Sequence, residues 1–400
     1  MGLVAAATTA RGMAATVRVL GRGELGRYSA GGVSEVARLE RELQDVIGVR
    51  HALAVNSGTS ALVAALVGAG VGPGDEVLVP AYTWVSTAAA PLAVGAVPVL
   101  VDVDASLTMD PVDLARKITP QSRAVIPVHM QNLVCDMDPI MTAAAANGLT
   151  VIEDACQAIG LRYKGRRVGS IGHAGCFSFN QYKNIRSGEG GALLTDDDRL
   201  FHRAAMYHDV GSYTRPGFAT DDADLIVGVN LRMPELSAAV LRPQLATLDA
   251  QLLRRRRHRR IMLETLPSWP GAPRPVPHHD PVSAAGLAVT FDGPDGDADA
   301  IAFADRRGVH RLADTGRHVY TNWRSIRTRN PLHPRADPYR DAVRDVDHGP
   351  DACPATLDVL ARTCVVDLAP ELPTPVVRLL AARNRAATPR PAPRPSVAAR

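Results

Sequence analysis

The sequence predicts an α/β protein built on a mostly parallel sheet, and three observations lead to this fold class. Short apolar runs alternate with helical patterns from about residue 30 to 250. Runs such as 75–80 (DEVLVP) are almost continuously apolar, which is typical of strands buried on both faces. The chain has 400 residues, more than a single core usually supports. We therefore expect a large domain with a parallel sheet and a smaller C-terminal α/β domain.

The individual elements follow from local periodicity. Helical spacing of apolar residues predicts helices at 33–48, 60–71 and 139–148. Apolar runs that end in polar or small residues predict strands at 51–55, 75–80, 97–103, 123–130, 149–155 and 175–179. Ligands of such sheets bind beyond the carboxyl ends of the strands, so the residues that follow each strand are the functional candidates.

Composition narrows the class of protein. The formal net charge of +4 is too small to predict nucleic-acid binding, and no run approaches the ~18 apolar residues of a membrane span. Five cysteines without CxxC spacing suggest neither a zinc site nor a disulfide framework. We expect a soluble, cytoplasmic protein without a metal, whose residues 1–24 are a flexible leader and not a signal peptide.

Two strand ends carry residues suited to a planar, phosphorylated ligand. Gly58 and Thr59 lie in NSGTSAL, where a helix begins directly after a strand, and helix N-termini bind phosphate. A helix cap by Ser57 or Thr59 explains the same stretch equally well. Trp84 follows strand 75–80 and offers a flat face for stacking, although a tryptophan is more often part of the core.

Asp154 ends the strand in LTVIEDACQAIG, where an unpaired buried carboxylate is costly. A protonated pyridine nitrogen is one cationic partner that would stabilise it. The alternatives are a carboxylate that caps the next turn and one that pairs with an arginine. Gln157 faces the same side if a helix begins there.

Lys183 follows the strand 175–179 and precedes a glycine-rich turn at 188–191. By frequency a lysine at this point is a surface residue. A partly desolvated lysine, however, loses its proton more readily, and neutral amines condense with aldehydes. Pyridoxal phosphate requires a lysine, a carboxylate for its ring nitrogen, a helix start for its phosphate and an aromatic face. The sequence supplies this set in order.

The stretches that carry this set closely resemble the DegT/DnrJ/StrS family of pyridoxal-phosphate sugar aminotransferases, which have fold type I. The matching stretches, which cover roughly residues 25–250, are NSGTSAL, GVGPGDEVLVPAYTWVSTAAA, VHMQNLVCDMDPI, EDACQAIGLRYKGRRVGSIGHAGCFSFNQYKNIRSGEGGALLTDD and GVNLRMPELSAAVL. Asn132 and Val134 depart from the glycine and proline that relatives often carry. Asparagine tolerates positive φ, so we expect the turn to be kept.

The resemblance implies a role for each candidate. Lys183 would condense with the cofactor aldehyde and shuttle protons, Asp154 would hold the ring nitrogen, Trp84 would stack on the ring and Gln157 would lie beside its phenolic oxygen. Gly58, Thr59 and Ser178 would bind the phosphate. Asn230, in GVNLRMPE, would reach the cofactor phosphate of a neighbouring subunit, which implies a homodimer with shared active sites.

By the same resemblance, the expected activity is transfer of an amino group from glutamate or glutamine to a keto-sugar or keto-cyclitol. The pathway would be amino-sugar, aminocyclitol or other secondary-metabolite biosynthesis. Two rival functions remain open. One is sugar dehydration, for which the family variant carries histidine in place of Lys183. The other is a non-catalytic partner or regulatory subunit, against which the intact set of cofactor residues argues.

The last third of the chain is less informative. We expect a large domain at 25–250, a small domain at 251–385 and a disordered tail at 386–400. The basic run 254–260 is interpreted as a solvated or interface face and not as a nucleic-acid site, because no aromatic residues are interleaved. His278 and His279 are too weak a pattern for a metal site. Tyr320, Trp323 and His333 could contact substrate or could serve in packing or at the surface.

Overall fold

The computed structural model describes residues 3–28, 34–211, 225–266 and 272–386. Its strands are β1 (His51–Val55), β2 (Glu76–Pro80), β3 (Val97–Val101), β4 (Ser122–Val125), β5 (Thr150–Asp154), β6 (Arg162–Tyr163), β7 (Arg166–Arg167), β8 (Ala174–Ser178), β9 (Gly191–Thr195), β10 (Arg274–Pro275), β11 (Ala288–Thr290), β12 (Val309–Arg311) and β13 (Thr363–Val366). Its α-helices are α1 (Leu3–Arg22), α2 (Glu35–Ile47), α3 (Gly58–Gly68), α4 (Ser86–Ala93), α5 (Pro111–Lys117), α6 (Met137–Ala146), α7 (Asp198–His208), α8 (Glu235–Leu245), α9 (Leu248–Glu264), α10 (Gly296–Ala304), α11 (Arg324–Arg327), α12 (Pro354–Ala361) and α13 (Thr374–Ala386).

The larger sheet has seven strands in the order β1-β9-β8-β5-β4-β2-β3. All neighbouring pairs are parallel except the two that involve β9, which runs opposite to both β1 and β8. The predicted α/β class with a mostly parallel sheet is confirmed. Because β1, β2, β5 and β8 run in the same direction, their carboxyl ends meet at one edge of the sheet.

Helices cover both faces of this sheet, and strand alternation divides the core between them. Leu78 of β2 packs in a cluster with α2, α6 and α8, whereas its neighbours Val77 and Val79 pack on the other face with α3, α4 and α7.

Helix α2 shows how the local sequence determines where a helix begins and ends. The Ser34 hydroxyl accepts a hydrogen bond from the Ala37 N–H at 3.0 Å, and Gly48, at φ 85°, ends the helix.

The second sheet has four antiparallel strands in the order β10-β11-β13-β12. Its core includes Val289 and Phe303 and is separate from the two clusters of the larger sheet. The segment between β12 and α12 does not stay with this sheet, because Tyr320, Trp323 and Ile326 pack into the core of the larger sheet. The predicted boundary between a large and a small domain, between residues 250 and 251, remains a prediction.

The N-terminal segment differs from the flexible leader predicted for residues 1–24. Residues 3–22 form helix α1, in which Ala15 and Val19 are buried against Ala239 of α8. Mainly small residues make this contact, so it leaves little apolar periodicity in the sequence. A Cβ placed on Gly12 would lie 4.0 Å from the Val240 carbonyl oxygen. The tail predicted at 386–400 lies outside the described residues, apart from Ala386 at the end of α13.

Among the described residues, no helix combines the length and the apolar character needed to cross a membrane.

Candidate active site

A cavity of about 860 Å³ lies at the carboxyl ends of β1, β2, β5 and β8, and residues around β13 form part of its wall. Seven of the eight predicted site residues line it: Gly58, Thr59, Trp84, Asp154, Gln157, Ser178 and Lys183. They are far apart in the sequence, and the common direction of the strands brings them together.

Asn230, the eighth predicted residue, does not line this cavity. It is exposed, forms an isolated antiparallel bridge with Asp209 and accepts a hydrogen bond from the Arg232 N–H at 3.2 Å. Its predicted partner is a cofactor in another subunit, so a single chain leaves that role a prediction.

Asp154 ends β5 with 5% of its surface exposed. Thr87 Oγ1 donates a hydrogen bond to its Oδ2 at 2.8 Å, and the Cys156 N–H donates to its Oδ1 at 3.1 Å. The carboxylate therefore caps the following turn, as one alternative stated. The arginine pairing considered for it is not found, because within the described parts of the chain Asp154 forms no ion pair.

Lys183 is half-buried in the loop after β8 and lines the cavity. Its backbone N–H donates to the Asn180 carbonyl at 3.0 Å, while its ammonium has no hydrogen-bond or ion-pair partner in the described regions. Burial raises the pKa of the neighbouring Cys156 thiol well above its usual value; the Asp154 carboxylate adds to this rise and Lys183 opposes it. Lys183 and Asp154 therefore both lie close enough to the Cys156 thiol to influence its pKa, in opposite directions.

The start of α3 forms a narrow recess against β8. Ser57 is the helix cap, since its Oγ accepts a hydrogen bond from the Ser60 N–H at 3.0 Å. A Cβ on Gly58 would lie 2.8 Å from Ser178 Cβ, so only glycine permits this approach. The first N–H groups of a helix have no intrahelical acceptor and can bind an anion. Thr59 does not cap the helix, and its hydroxyl donates to Ser86 Oγ at 2.9 Å.

Trp84 is not a core residue, because 38% of its surface is exposed. Its ring lies at the cavity wall, with the His318 ring centroid 5.3 Å away and the Arg317 guanidinium 5.4 Å from the indole centroid. Gln157 is held by the loop that follows His129: its Oε1 accepts a hydrogen bond from the Gln131 N–H at 3.2 Å.

This geometry agrees with what comparison of the chain with known proteins finds. A sequence model of the DegT/DnrJ/EryC1/StrS aminotransferase family matches residues 19–309, nearly three quarters of the chain. The chain belongs to this family.

Two curated members show how close the relation is. The 3-amino-5-hydroxybenzoate synthase of Amycolatopsis mediterranei is 42% identical over 239 residues, which cover 59% of this chain and 60% of that protein. The dTDP-3-amino-3,4,6-trideoxy-alpha-D-glucose transaminase of Streptomyces venezuelae is 41% identical over 273 residues, 67% of this chain and 69% of that one. The matched region therefore spans about 60 to 70% of these relatives.

The relation extends to the whole fold. The crystal structure of 3-amino-5-hydroxybenzoic acid synthase superposes with a TM-score of 0.77 at 31% identity and covers 94% of this chain and 96% of that one. The fold is that of the pyridoxal-phosphate-dependent transferases of fold type I, as predicted. Enzymes of the DegT/DnrJ/EryC1/StrS family depend on pyridoxal 5′-phosphate, which is therefore the cofactor of this protein.

The residues present fit this cofactor. Asp154 is a buried carboxylate with two neutral donors, and it forms no ion pair with any described residue; a protonated ring nitrogen would supply the missing positive charge. The recess of Gly58 and Ser178 has the backbone N–H groups that a phosphate requires.

The loop 130–132 keeps its turn without the glycine that relatives often carry. Gln131 and Asn132 have φ of 52° and 58°, which confirms the expectation for Asn132 and shows that Gln131 shares the strain. Gly286 approaches this loop so closely that a Cβ there would lie 2.0 Å from the Gln131 carbonyl oxygen. The segment that precedes β11 therefore contacts the loop 130–132 at the cavity wall.

Two residues of this site were not predicted. Thr87, at the start of α4, donates to Asp154 and accepts a hydrogen bond of 2.8 Å from the Thr83 hydroxyl, but nothing in its local sequence distinguishes it. His318 lines the cavity, and its Nδ1 lies 3.1 Å from the Thr315 carbonyl, to which it donates. Burial lowers the pKa of His318 and the nearby Lys183 adds to this effect, whereas the hydrogen bond to the Thr315 carbonyl opposes it.

The other aromatic candidates of the last third do not belong to the site. Tyr320 and Trp323 are 1% and 2% exposed and serve in packing, which is the alternative left open for them. His333 is exposed, lies away from the cavity lining and accepts a hydrogen bond from the Arg335 N–H at 3.1 Å.

Proposed function

We propose that this protein is a pyridoxal-phosphate-dependent aminotransferase that moves an amino group from glutamate or glutamine to a keto-sugar or keto-cyclitol. The proposal depends mainly on one observation: Lys183 and Asp154 line the same cavity. Beside them lies the start of α3, which can approach Ser178 only because residue 58 is glycine. The names of the two curated relatives, a synthase of an amino-hydroxybenzoate and an amino-sugar transaminase, support amino transfer in secondary metabolism.

The proposed roles follow from position. When bound, pyridoxal phosphate supplies an aldehyde and an electron-accepting ring. Asp154, oriented by Thr87 and the Cys156 N–H, holds the proton on the ring nitrogen. Lys183 Nζ would hold the cofactor aldehyde and, as a neutral amine, would take up the α proton of the amino donor. No other side-chain amine lines the cavity among the described residues.

The remaining residues of the cavity would hold the cofactor and orient it. The N–H groups at the start of α3, together with Thr59 and Ser178, bind the phosphate. Trp84 would stack on the cofactor ring, and the Arg317 guanidinium lies near its indole. Gln157, whose Oε1 accepts a hydrogen bond from the Gln131 N–H, would contact the phenolic oxygen of the cofactor.

Absorption spectroscopy tests the proposal. The purified protein incubated with pyridoxal phosphate should show a visible-violet band that shifts when glutamate or glutamine is added. Lys183→Ala should lose the band and the shift, while Lys164→Ala, which removes an exposed lysine outside the cavity, should keep both. A Lys183→Ala spectrum equal to that of the wild type would refute the assignment.

The acceptor is tested in the second half-reaction. A panel of keto-sugar nucleotides, free keto-sugars and keto-cyclitols is offered to the aminated cofactor form, and return of the original band reports amino transfer. Conversion of a sugar with loss of water and without an amino donor would instead support the dehydratase alternative. A protein that neither binds cofactor nor reacts would support the non-catalytic alternative.

The shared dimer is the second part of the proposal. Asn230 is exposed and outside its own cavity, which suits a residue that completes a site in a partner subunit. Mixing Lys183→Ala with Asn230→Ala chains would form heterodimers in which one site is intact if Asn230 acts across the interface. Recovery of up to one quarter of the wild-type activity is expected for random exchange, and no recovery would refute the shared arrangement.

A further inference from the structure

One arginine of the basic run 254–260 belongs to the cavity. Arg255 of α9 lines the cavity together with Gln251 and Leu252, which lie about one helical turn earlier on the same face of the helix. The run was interpreted as a solvated or interface face, and this one residue departs from that description.

The neighbours of Arg255 have different environments. Arg254 donates from Nη1 to the Pro370 carbonyl at 3.3 Å, and Arg259 donates from Nε to the Gly286 carbonyl at 2.9 Å. Arg257 and Arg260 are exposed to solvent. Arg255 is only half-exposed, yet in the described parts of the chain its guanidinium makes no hydrogen bond and no ion pair.

Charges around Arg255 leave this cation incompletely compensated. Burial lowers its pKa, and the carboxylates of Glu371 and Asp367 oppose this change from a distance without contacting it. Glu371 already has a nearer cation, because its Oε1 lies 4.0 Å from Arg186 Nη2. A partly buried guanidinium without a direct partner gains most from a ligand that brings its own carboxylate.

We propose that Arg255 binds a carboxylate of the amino donor. The inference rests on the proposed function, since the donor enters this cavity only if the protein is an aminotransferase. Of the three cations that line the cavity, Lys183 is assigned to the cofactor and Arg186 lies beside Glu371, which leaves Arg255 free for substrate. Its planar fork of N–H donors matches a carboxylate bidentately, and glutamate and glutamine both carry one.

Separate half-reactions test this role with Arg255→Met and Arg255→Lys. The first half-reaction is followed by the shift of the cofactor band at increasing glutamate or glutamine. Loss of a charge-assisted contact should raise the half-saturating donor concentration of Arg255→Met by roughly 10- to 100-fold. Arg255→Lys should lie between this variant and the wild type, because it keeps the charge but not the fork.

The second half-reaction and a matched variant complete the experiment. Arg257→Met removes an exposed arginine of the same run and should leave donor saturation unchanged. The half-saturating acceptor concentration of Arg255→Met should also stay within about twofold of the wild-type value, a change no larger than that from the loss of an exposed charge. Equal cofactor absorption and equal thermal unfolding of the variants show that each is folded and loaded.

Two results would overturn the inference. Unchanged donor saturation in Arg255→Met would show that the guanidinium does not bind the donor. A change confined to the second half-reaction would assign Arg255 to an anionic group of the acceptor, such as a diphosphate, and not to the donor. In both cases the wild type still transfers amino groups, whereas absence of any half-reaction in the wild type would refute the proposed function as well.

Discussion

Glu153 and Asp154 are adjacent at the end of β5, but their carboxylates have opposite environments. Glu153 is completely buried and accepts hydrogen bonds from four groups: the N–H groups of Gly169, Ile171 and Gly172 and the His129 imidazole. His129 donates through Nε2, since its Nδ1 accepts from the Cys135 N–H at 3.1 Å. Asp154 accepts two hydrogen bonds and lines the cavity. One carboxylate therefore stabilises the fold and the other is available for chemistry.

Substitution of the two residues should separate these roles. Glu153→Gln places an amide NH₂ against N–H donors, so it should lower the free energy of unfolding by about 3 kcal/mol. Asp154→Asn should leave stability within about 1 kcal/mol and reduce transamination by at least about a hundredfold, since the ring nitrogen loses its carboxylate. Urea unfolding and half-reaction rates measure both effects. Equal loss of stability in the two variants would contradict this division.

Thr87 should affect the reaction only through Asp154. Thr87→Val keeps the shape of the side chain but removes the hydrogen bond of 2.8 Å to Oδ2, so the amino-transfer rate should fall by roughly tenfold. Thr87→Ser keeps the hydroxyl and should stay close to the wild type. The pH dependence of the cofactor band should move in Thr87→Val and not in Thr87→Ser. A purely structural residue would change unfolding without this spectroscopic effect.

Gly58 should not tolerate a side chain. In Gly58→Ala the added Cβ would meet Ser178 Cβ at 2.8 Å and Cys156 Sγ at 2.9 Å, which forces α3 away from β8. We expect weaker cofactor binding, by about tenfold or more, measured by titration of the apoprotein with pyridoxal phosphate. Gly21→Ala in α1 is the matched variant, because a Cβ there meets nothing within 4 Å. Normal cofactor affinity in Gly58→Ala would argue against the recess as the phosphate site.

His278 should make stability depend on pH. Burial lowers its pKa to about 4; Arg259 and His279 add to this effect, whereas the Asn132 carbonyl and Asp280 oppose it. Its Nδ1 accepts a hydrogen bond from the Asp280 N–H at 3.1 Å, which requires a neutral ring with the proton on Nε2. The unfolded chain binds a proton near pH 6.5 and the folded chain only near pH 4, so acidification across this window favours unfolding.

His278→Asn isolates this contribution, because asparagine can accept the same hydrogen bond but does not titrate. Between pH 7 and 5 the wild type should lose on the order of 1–2 kcal/mol more stability than the variant. Urea unfolding at several pH values, with the same buffer composition, measures the difference. Parallel curves for the two proteins would show that His278 is protonated as readily in the folded state as in the unfolded one.

Several features could be predicted from the sequence because they are local. Strand runs, helix periodicity and the residues that end each strand identify Asp154, Lys183 and the start of α3 without any knowledge of the fold. The parallel arrangement then brings the strand ends to one edge, which is why the predicted residues at those ends share one cavity. The positive φ expected for Asn132 likewise depends only on residue type and turn.

The tertiary structure alone decided the rest. Thr87 contacts Asp154 and His318 lines the cavity only because distant segments pack together. Arg255 differs from the other arginines of its run in the face of α9 on which it lies. The sequence does not predict helix α1, because its contacts with α8 are made mainly by small residues that give little apolar periodicity. The neighbours of a side chain depend on how helices and strands pack against one another. The sequence records the spacing of residues along one helix or strand, but not which other element packs against it.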